Sequence, residues 1–301
     1  MKFRAILFAT LASWLFCTPA EANQVGRTQF TSASIRQVGS FFWHTDYAAA
    51  YQQARREGRL LFILFRDPAQ ERAADGYEAK VLSNDELRDA LQGVVRVTVS
   101  TEATIPGRNG ENGQRLLDHP AFRHQQGRQG IAVVDLSEPE SPFYGKVVSA
   151  HVFSPDKHYT LHSTRTILTL PEGSITQRAL VYALRMHPES PQSVYADVSR
   201  VLLEGANSHS RFMAQLGQVG HHNWGTRSQS ITSQLGGGVG VGEVAAMVHG
   251  ATLIDAAKNC VNAWRNSPGH WALISGPTTL FGYDLVEAPD GSWYGAGIFA
   301  Y

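Results

Sequence analysis

Leu60-Leu61-Phe62-Ile63-Leu64-Phe65 is an unbroken apolar run of strand length. It offers water no polar face, so it suits a strand covered on both sides, the central strand of a sheet flanked by helices. Before it, Asp46–Glu57 reads as a helix stopped by Gly58. After it comes a helical stretch in which Ser83 and Glu86 have capping-box spacing at the start of the last part. The alternating strand Val94–Val99, a helix near Gln114–His124, the strands Ile131–Leu136 and Lys146–Val152, and a closing helix Ser174–Met186 complete the pattern. This order calls for a mixed sheet covered by helices, an α/β arrangement.

Over residues 41–187 the pattern resembles the thioredoxin fold. That family carries a reactive Cys-x-x-Cys just after the strand matching Leu60–Phe65, where this chain reads Arg66-Asp67-Pro68-Ala69-Gln70. It also places a proline before the strand matching Ile131–Leu136, where this chain reads Gln129-Gly130. Thiol–disulfide exchange needs an attacking thiolate. The resemblance therefore implies a thioredoxin-like domain that is not a dithiol oxidoreductase and serves as a docking module or spacer.

The N-terminus reads as a signal peptide over residues 1–22. Lys2 and Arg4 precede the apolar run Ala5–Phe16, and Ala20-Glu21-Ala22 is a small-x-small cleavage site. The run is too short to span a bilayer, which takes about 20 apolar residues. A secreted or periplasmic protein with no membrane span after cleavage is expected. Removing the leader also removes Cys17 and leaves Cys260 as the lone thiol, so no internal disulfide can form. Cys260 shares helical spacing with Leu253, Ala256, Ala257, Val261 and Trp264, as an inert core cysteine would. Lys plus Arg equal Asp plus Glu at 26 each, which leaves no basic stripe for nucleic acid. Glycines gather between Gly217 and Gly250, predicting a loop-rich segment there, and Pro188 and Pro191 mark a linker over 188–194.

Three segments of the remainder, 195–301, form a second pattern. A helix ends in Trp264-Arg265-Asn266-Ser267-Pro268-Gly269-His270; Gly242-Glu243 precedes it; and Met213-Ala214, His221 and Arg227 come earlier, with His222 as an alternative register for the histidine. Phe281–Val286, a turn at Pro289-Asp290-Gly291, and Ser292–Tyr301 read as a terminal hairpin. Together these segments resemble bacterial members of the CAP superfamily, named for cysteine-rich secretory proteins, antigen five and plant pathogenesis-related proteins. The resemblance implies a CAP-type α-β-α sandwich, so the whole chain is expected to combine α/β and α+β units. It departs from the family at Val244, where an Asn follows the Gly-Glu pair, and at Ser267, where animal and plant members carry a Glu.

Two imidazoles and a carboxylate brought together suit a divalent metal such as zinc, and they equally suit a hydrogen-bonded polar cluster. The resemblance implies that His221, Glu243 and His270 share a cleft, with Ser267 and Trp271 beside it and His221, His270 and Glu243 as candidate metal ligands. Without metal, the carboxylate should draw at least one of these histidines above the ordinary value of about 6.5. The resemblance implies a non-enzymatic protein that binds a small molecule, a lipid or a cell-envelope component. A metal-assisted hydrolase using the same cleft and a catalytically silent scaffold are the alternatives.

Overall fold

The computed structural model describes residues 35–105, 113–155 and 157–301; the signal peptide expected over 1–22, and Cys17 with it, lies outside them. Within them the chain is mixed α/β and contains two large sheets. Among the described residues, no helix is long and apolar enough to cross a membrane.

The apolar run becomes the centre of the first sheet, whose order is β1-β2-β4-β3-β7-β8. β1 (Ile35–Val38) and β2 (Phe41–His44) form an antiparallel pair at one side. β3 (Leu61–Arg66) runs parallel to β4 (Val95–Ser100), and β4 in turn runs parallel to β2. Beyond the short pair β5 (Thr104–Ile105) and β6 (Gln114–Arg115) come β7 (Gly130–Val134), antiparallel to β3, and β8 (Val147–Val152), antiparallel to β7. Leu61 through Phe65 are fully buried, as a strand covered on both faces requires. α1 (Tyr47–Glu57) starts where Asp46 accepts from the Ala49 N–H and stops at left-handed Gly58. α2 (Glu71–Tyr77) and α3 (Arg88–Gln92) lie between β3 and β4.

Several local expectations need correction. The helix expected near Gln114–His124 is instead β6 followed by two 3-10 turns, Leu116–Asp118 and Pro120–Gln125. Pro120 holds the preceding His119 in extended backbone, which interrupts an α-helix there. Ser83 forms no capping box; its hydroxyl donates to the Glu78 carbonyl, and Asn84 caps the next turn by accepting from the Glu86 N–H. β1 lies ahead of the expected start at Phe41, and α4 (Leu161–Leu168) falls between β8 and the closing helix.

An ion-pair network forms at the end of β3. Arg66 pairs with Glu78 and Asp75, each at 2.5 Å, and Glu78 also receives Arg36 at 2.7 Å. Gln129 donates to the Gln70 carbonyl at 3.0 Å, tying the two loops together. The next residue, Gly130, has φ +149, and a Cβ there would lie 2.2 Å from the His151 carbonyl oxygen, so no other side chain fits.

The second sheet has the order β10-β12-β11-β9. β9 (Asp197–Val198) is parallel to β11 (Leu280–Glu287); β10 (Val241–Val248) and β12 (Trp293–Ala300) complete an antiparallel set. The expected terminal hairpin is β11 and β12, turning through left-handed Gly291. α6 (Arg200–Leu216) and α7 (Trp224–Gln234) pack on one face of this sheet. α5 (Ile175–Arg185), α8 (Leu253–Arg265) and α9 (Pro268–Ser275) pack on the other. The segment Gly217–Gly250 is therefore less loop-rich than its glycines predict, because α7 and β10 fall inside it. Cys260, on α8, is fully buried and its thiol is pushed well up by desolvation, as expected of a core cysteine.

α5 belongs to both sheets. Residues 177–184 are all buried, and the helix touches β8 on one side and β11 and α8 on the other. A helix buried all round carries apolar residues on every face. One continuous hydrophobic cluster accordingly runs from Phe62 and Leu64 through Leu180 and Leu184 to Trp264 and Tyr283. The polar exceptions are Gln177, which closes the capping box at the start of the helix, and Arg178. Its guanidinium donates to Ser149 Oγ and to the carbonyls of Ile167, Leu170 and Pro171, and burial lowers its pKa to about 10. Those bonds anchor α5 to the first unit, while Thr176 donates to Asp284 of β11 at 2.6 Å and anchors it to the second.

Candidate functional site

The candidate residues meet at the open edge of the second sheet. β10 is the edge strand, and Glu243 points from it toward α7. A Cβ on the preceding Gly242 would lie 2.3 Å from the Tyr301 hydroxyl and 3.2 Å from Leu273, so a larger residue there would push the exposed Tyr301 ring aside. His221 sits in the turn between α6 and α7, which Gly217 opens in left-handed backbone. Asn223, also left-handed, follows it, and the Trp224 N–H donates to the His221 carbonyl at 3.2 Å. His270 comes from the first turn of α9, which Pro268 starts. The pair thus straddles the strand edge, one histidine arriving from each helical layer.

Glu243 is buried and fully engaged. Arg227 binds it through both guanidinium NH groups, one contact at 2.8 Å, and His221 Nδ1 lies 2.9 Å from its Oε1. An ionised carboxylate only accepts, so His221 donates from Nδ1, which in the neutral ring leaves the lone pair on Nε2. That Nε2 lies 3.3 Å from His270 Nε2. The result is a relay in the order Arg227, Glu243, His221, His270. Arg227 is itself steadied by the His222 carbonyl at 2.9 Å and by the face of Trp224.

The expected upward titration is reversed for His270. Burial comes first in lowering its pKa and the neighbouring His221 ring adds to it, while Glu243 pulls the other way. The physical reason is desolvation of the His270 ring, which with the neighbouring imidazole outweighs the pull of the Glu243 carboxylate.

His221, Glu243 and His270 do converge, but the other expected residues part from them. His222 turns back toward the Gln218 carbonyl and meets Phe212 edge-on, so His221 is the histidine that faces the carboxylate. Ser267 is the N-cap residue of α9, where its carbonyl accepts from the Trp271 N–H. Trp271 leaves the cleft altogether: its indole donates to Glu189 at 2.8 Å and packs on His187, clasping the linker. Glu189 also receives Arg265.

One member of the site escaped sequence reasoning. His209 of α6 is 1% exposed; it donates from Nε2 to the Gly220 carbonyl at 2.8 Å and sits 3.5 Å from Glu243 Oε1. Burial holds its pKa down, so it is a neutral brace for the loop carrying His221. The available signal was its place on the apolar stripe Leu202, Ala206, Met213, where a polar residue must find a partner.

The donor set partly fits the divalent metal implied by the family resemblance. Two nitrogens bound to tetrahedral zinc at ~2.0–2.1 Å lie about 3.3 Å apart, the separation found between the Nε2 atoms of His221 and His270. Glu243 does not join them as a ligand, because Arg227 and His221 occupy its oxygens; it can only orient the His221 ring from behind. Among the described residues, no group of three or more His, Cys, Asp or Glu is placed to hold one ion. A metal here would take two protein ligands and complete its shell from solvent or a ligand.

No family model matches the chain. No curated protein is similar to it at a significant level. Among solved structures, part of the chain is similar to an outer surface protein from Borrelia burgdorferi, at 18% identity and a TM-score of 0.30, over 35% of this chain and 76% of that one.

Proposed function

We propose that this is an exported, non-enzymatic binding protein whose C-terminal unit is a CAP-type domain and whose N-terminal unit is a thioredoxin-like domain without redox chemistry. The charged, apolar and small-residue order of the N-terminus supports export. The strand order β2-β4-β3-β7-β8, parallel in its first three members and antiparallel in its last two, supports the thioredoxin-like reading. The helix–sheet–helix layering around β10-β12-β11-β9, together with the three sequence segments, supports the CAP-type reading.

The observation that carries the function is the pair of Nε2 atoms 3.3 Å apart at an open strand edge, with one ring oriented by a carboxylate that Arg227 neutralises. Two imidazoles beside each other, in their neutral forms, offer a lone pair and an N–H to a small molecule, a lipid headgroup or an envelope component, or two lone pairs to zinc. A hydrolase would need a free base to activate water. Glu243 is poorly suited to that role because both its oxygens are held.

The test is mass spectrometry of organic extracts from the exported full-length protein and from a His221→Ala/His270→Ala variant. A small molecule or lipid present in the first and missing from the second is expected. Identical extracts, with no zinc bound by either protein in a chelator competition, overturn the binding reading.

A further inference from the structure

Asp284, on β11, is a buried carboxylate held by neutral groups. It accepts from the Thr176 hydroxyl at 2.6 Å, the Leu285 N–H at 2.8 Å and the Asn207 amide. Despite these bonds, burial holds its carboxyl above the ordinary carboxylate range. Buried carboxylates in folded proteins usually face a counter-charge. Here Asp284 instead faces a cavity of about 660 Å³, lying between the two units, in the size range of small-molecule sites.

The cavity is graded in chemistry. Glu138 and Glu140 from the β7–β8 connection, Glu172 before α5 and Glu204 on α6 line its mouth. Arg200 is the one cation among its lining residues, and it lies 3.5 Å from Glu204. Pro142, Phe143, Val198 and Leu203 form apolar walls. A hard divalent cation needs six or more converging oxygens, and among the described residues no group of three acidic or metal-ligating side chains is so placed. A molecule with a cationic head and a hydrocarbon stem matches both the walls and the charge.

We propose that this cavity binds an organic cation, an alkylammonium or alkylguanidinium, whose head pairs with Asp284 and whose stem lies between Phe143 and Leu203. The ligand would touch the first unit, α5 and the second unit at once. The experiment is isothermal titration of the full-length protein with 1,5-diaminopentane, with 1,5-pentanediol as its uncharged counterpart. The diamine should bind and the diol should not. Asp284→Asn should weaken diamine binding about tenfold or more, the worth of one charge-assisted contact. Glu172→Gln/Glu204→Gln alters only the exposed mouth, so it decides the question if Asp284→Asn fails to fold; it should weaken binding several-fold. His221→Ala should leave binding unchanged. Absent diamine binding, equal binding of the diol, an unaltered affinity in Glu172→Gln/Glu204→Gln, or displacement by calcium at lower concentration overturns the proposal.

Discussion

His221 Nδ1 lies 2.9 Å from Glu243 Oε1, and this one contact decides which nitrogen of the ring faces His270. Glu243→Gln removes the ionised acceptor while keeping the side-chain shape. The His221 ring should then populate both neutral tautomers, read from the two imidazole nitrogen shifts in long-range proton–nitrogen spectra. A single unchanged Nδ1–H tautomer in the variant would show that Glu243 does not orient the ring.

Removing the carboxylate is a different matter from neutralising it. Glu243→Ala leaves Arg227 facing a buried void where it had two contacts. Breaking a buried pair from one side costs about 3–5 kcal/mol, and the lower end applies because Arg227 keeps some contact with solvent. Urea denaturation should report a loss of about 3 kcal/mol, larger than for Glu243→Gln.

Acid should destabilise the protein below neutrality through histidines remote from the site. Burial lowers the pKa of His151 to about 3 and that of His124 to about 4, with Arg178 and Arg123 respectively contributing next. Below about pH 6.5 the unfolded chain takes up protons that these folded rings refuse, so stability falls as pH falls toward the folded values. Each ring contributes up to ~1.4 kcal/mol per pH unit across that window. Urea midpoints at pH 7.5, 6 and 5 should fall less steeply in His151→Phe, which keeps the edge contacts with Tyr159 and Tyr182. Parallel slopes in the two proteins would contradict the assignment.

Trp271→Phe should loosen the linker without disturbing the histidine pair. The indole bond to Glu189 disappears, so cleavage by a broad-specificity protease within 188–194 should accelerate. The imidazole spectra of His221 and His270 should stay as they are; a shift in them would return Trp271 to the cleft.

The Cys260 thiol should be silent to Ellman's reagent in the native protein and react only on unfolding, because it is fully buried with its pKa raised. Its exposure should coincide with the loss of helical signal in one transition. Reaction ahead of that loss would mean that α8 opens by itself.

What the sequence revealed and what it hid follow one physical rule. Leu61–Phe65 and the stripe through Leu253, Cys260 and Trp264 were legible because burial wrote itself in apolar residues. α4 was not, since it buries Ser163, Thr164 and Thr166, residues that read as surface. α7 was not either: Ile231 is its one buried residue, which gives no periodicity to find. At the site, His221, Glu243 and His270 stood out by motif. The bracing by His209 and the charge compensation by Arg227 depend on which side chains meet across the fold, and no local spacing records that. Trp271 looked like a cleft residue because it directly follows His270, and its true partner, Glu189, is far away along the chain.

The linker at 188–194 is a border in sequence, but the border in the core runs elsewhere, through the middle of α5. A recombination event that cut the gene at the linker would hand one product a helix with a bare face and leave the other a sheet with a bare patch over Phe281, Tyr283 and Leu285. Either half, cut there, would expose to water apolar surface that the whole chain keeps covered. A descendant that kept the second unit alone would have to recruit a new helix into the place of residues 175–185.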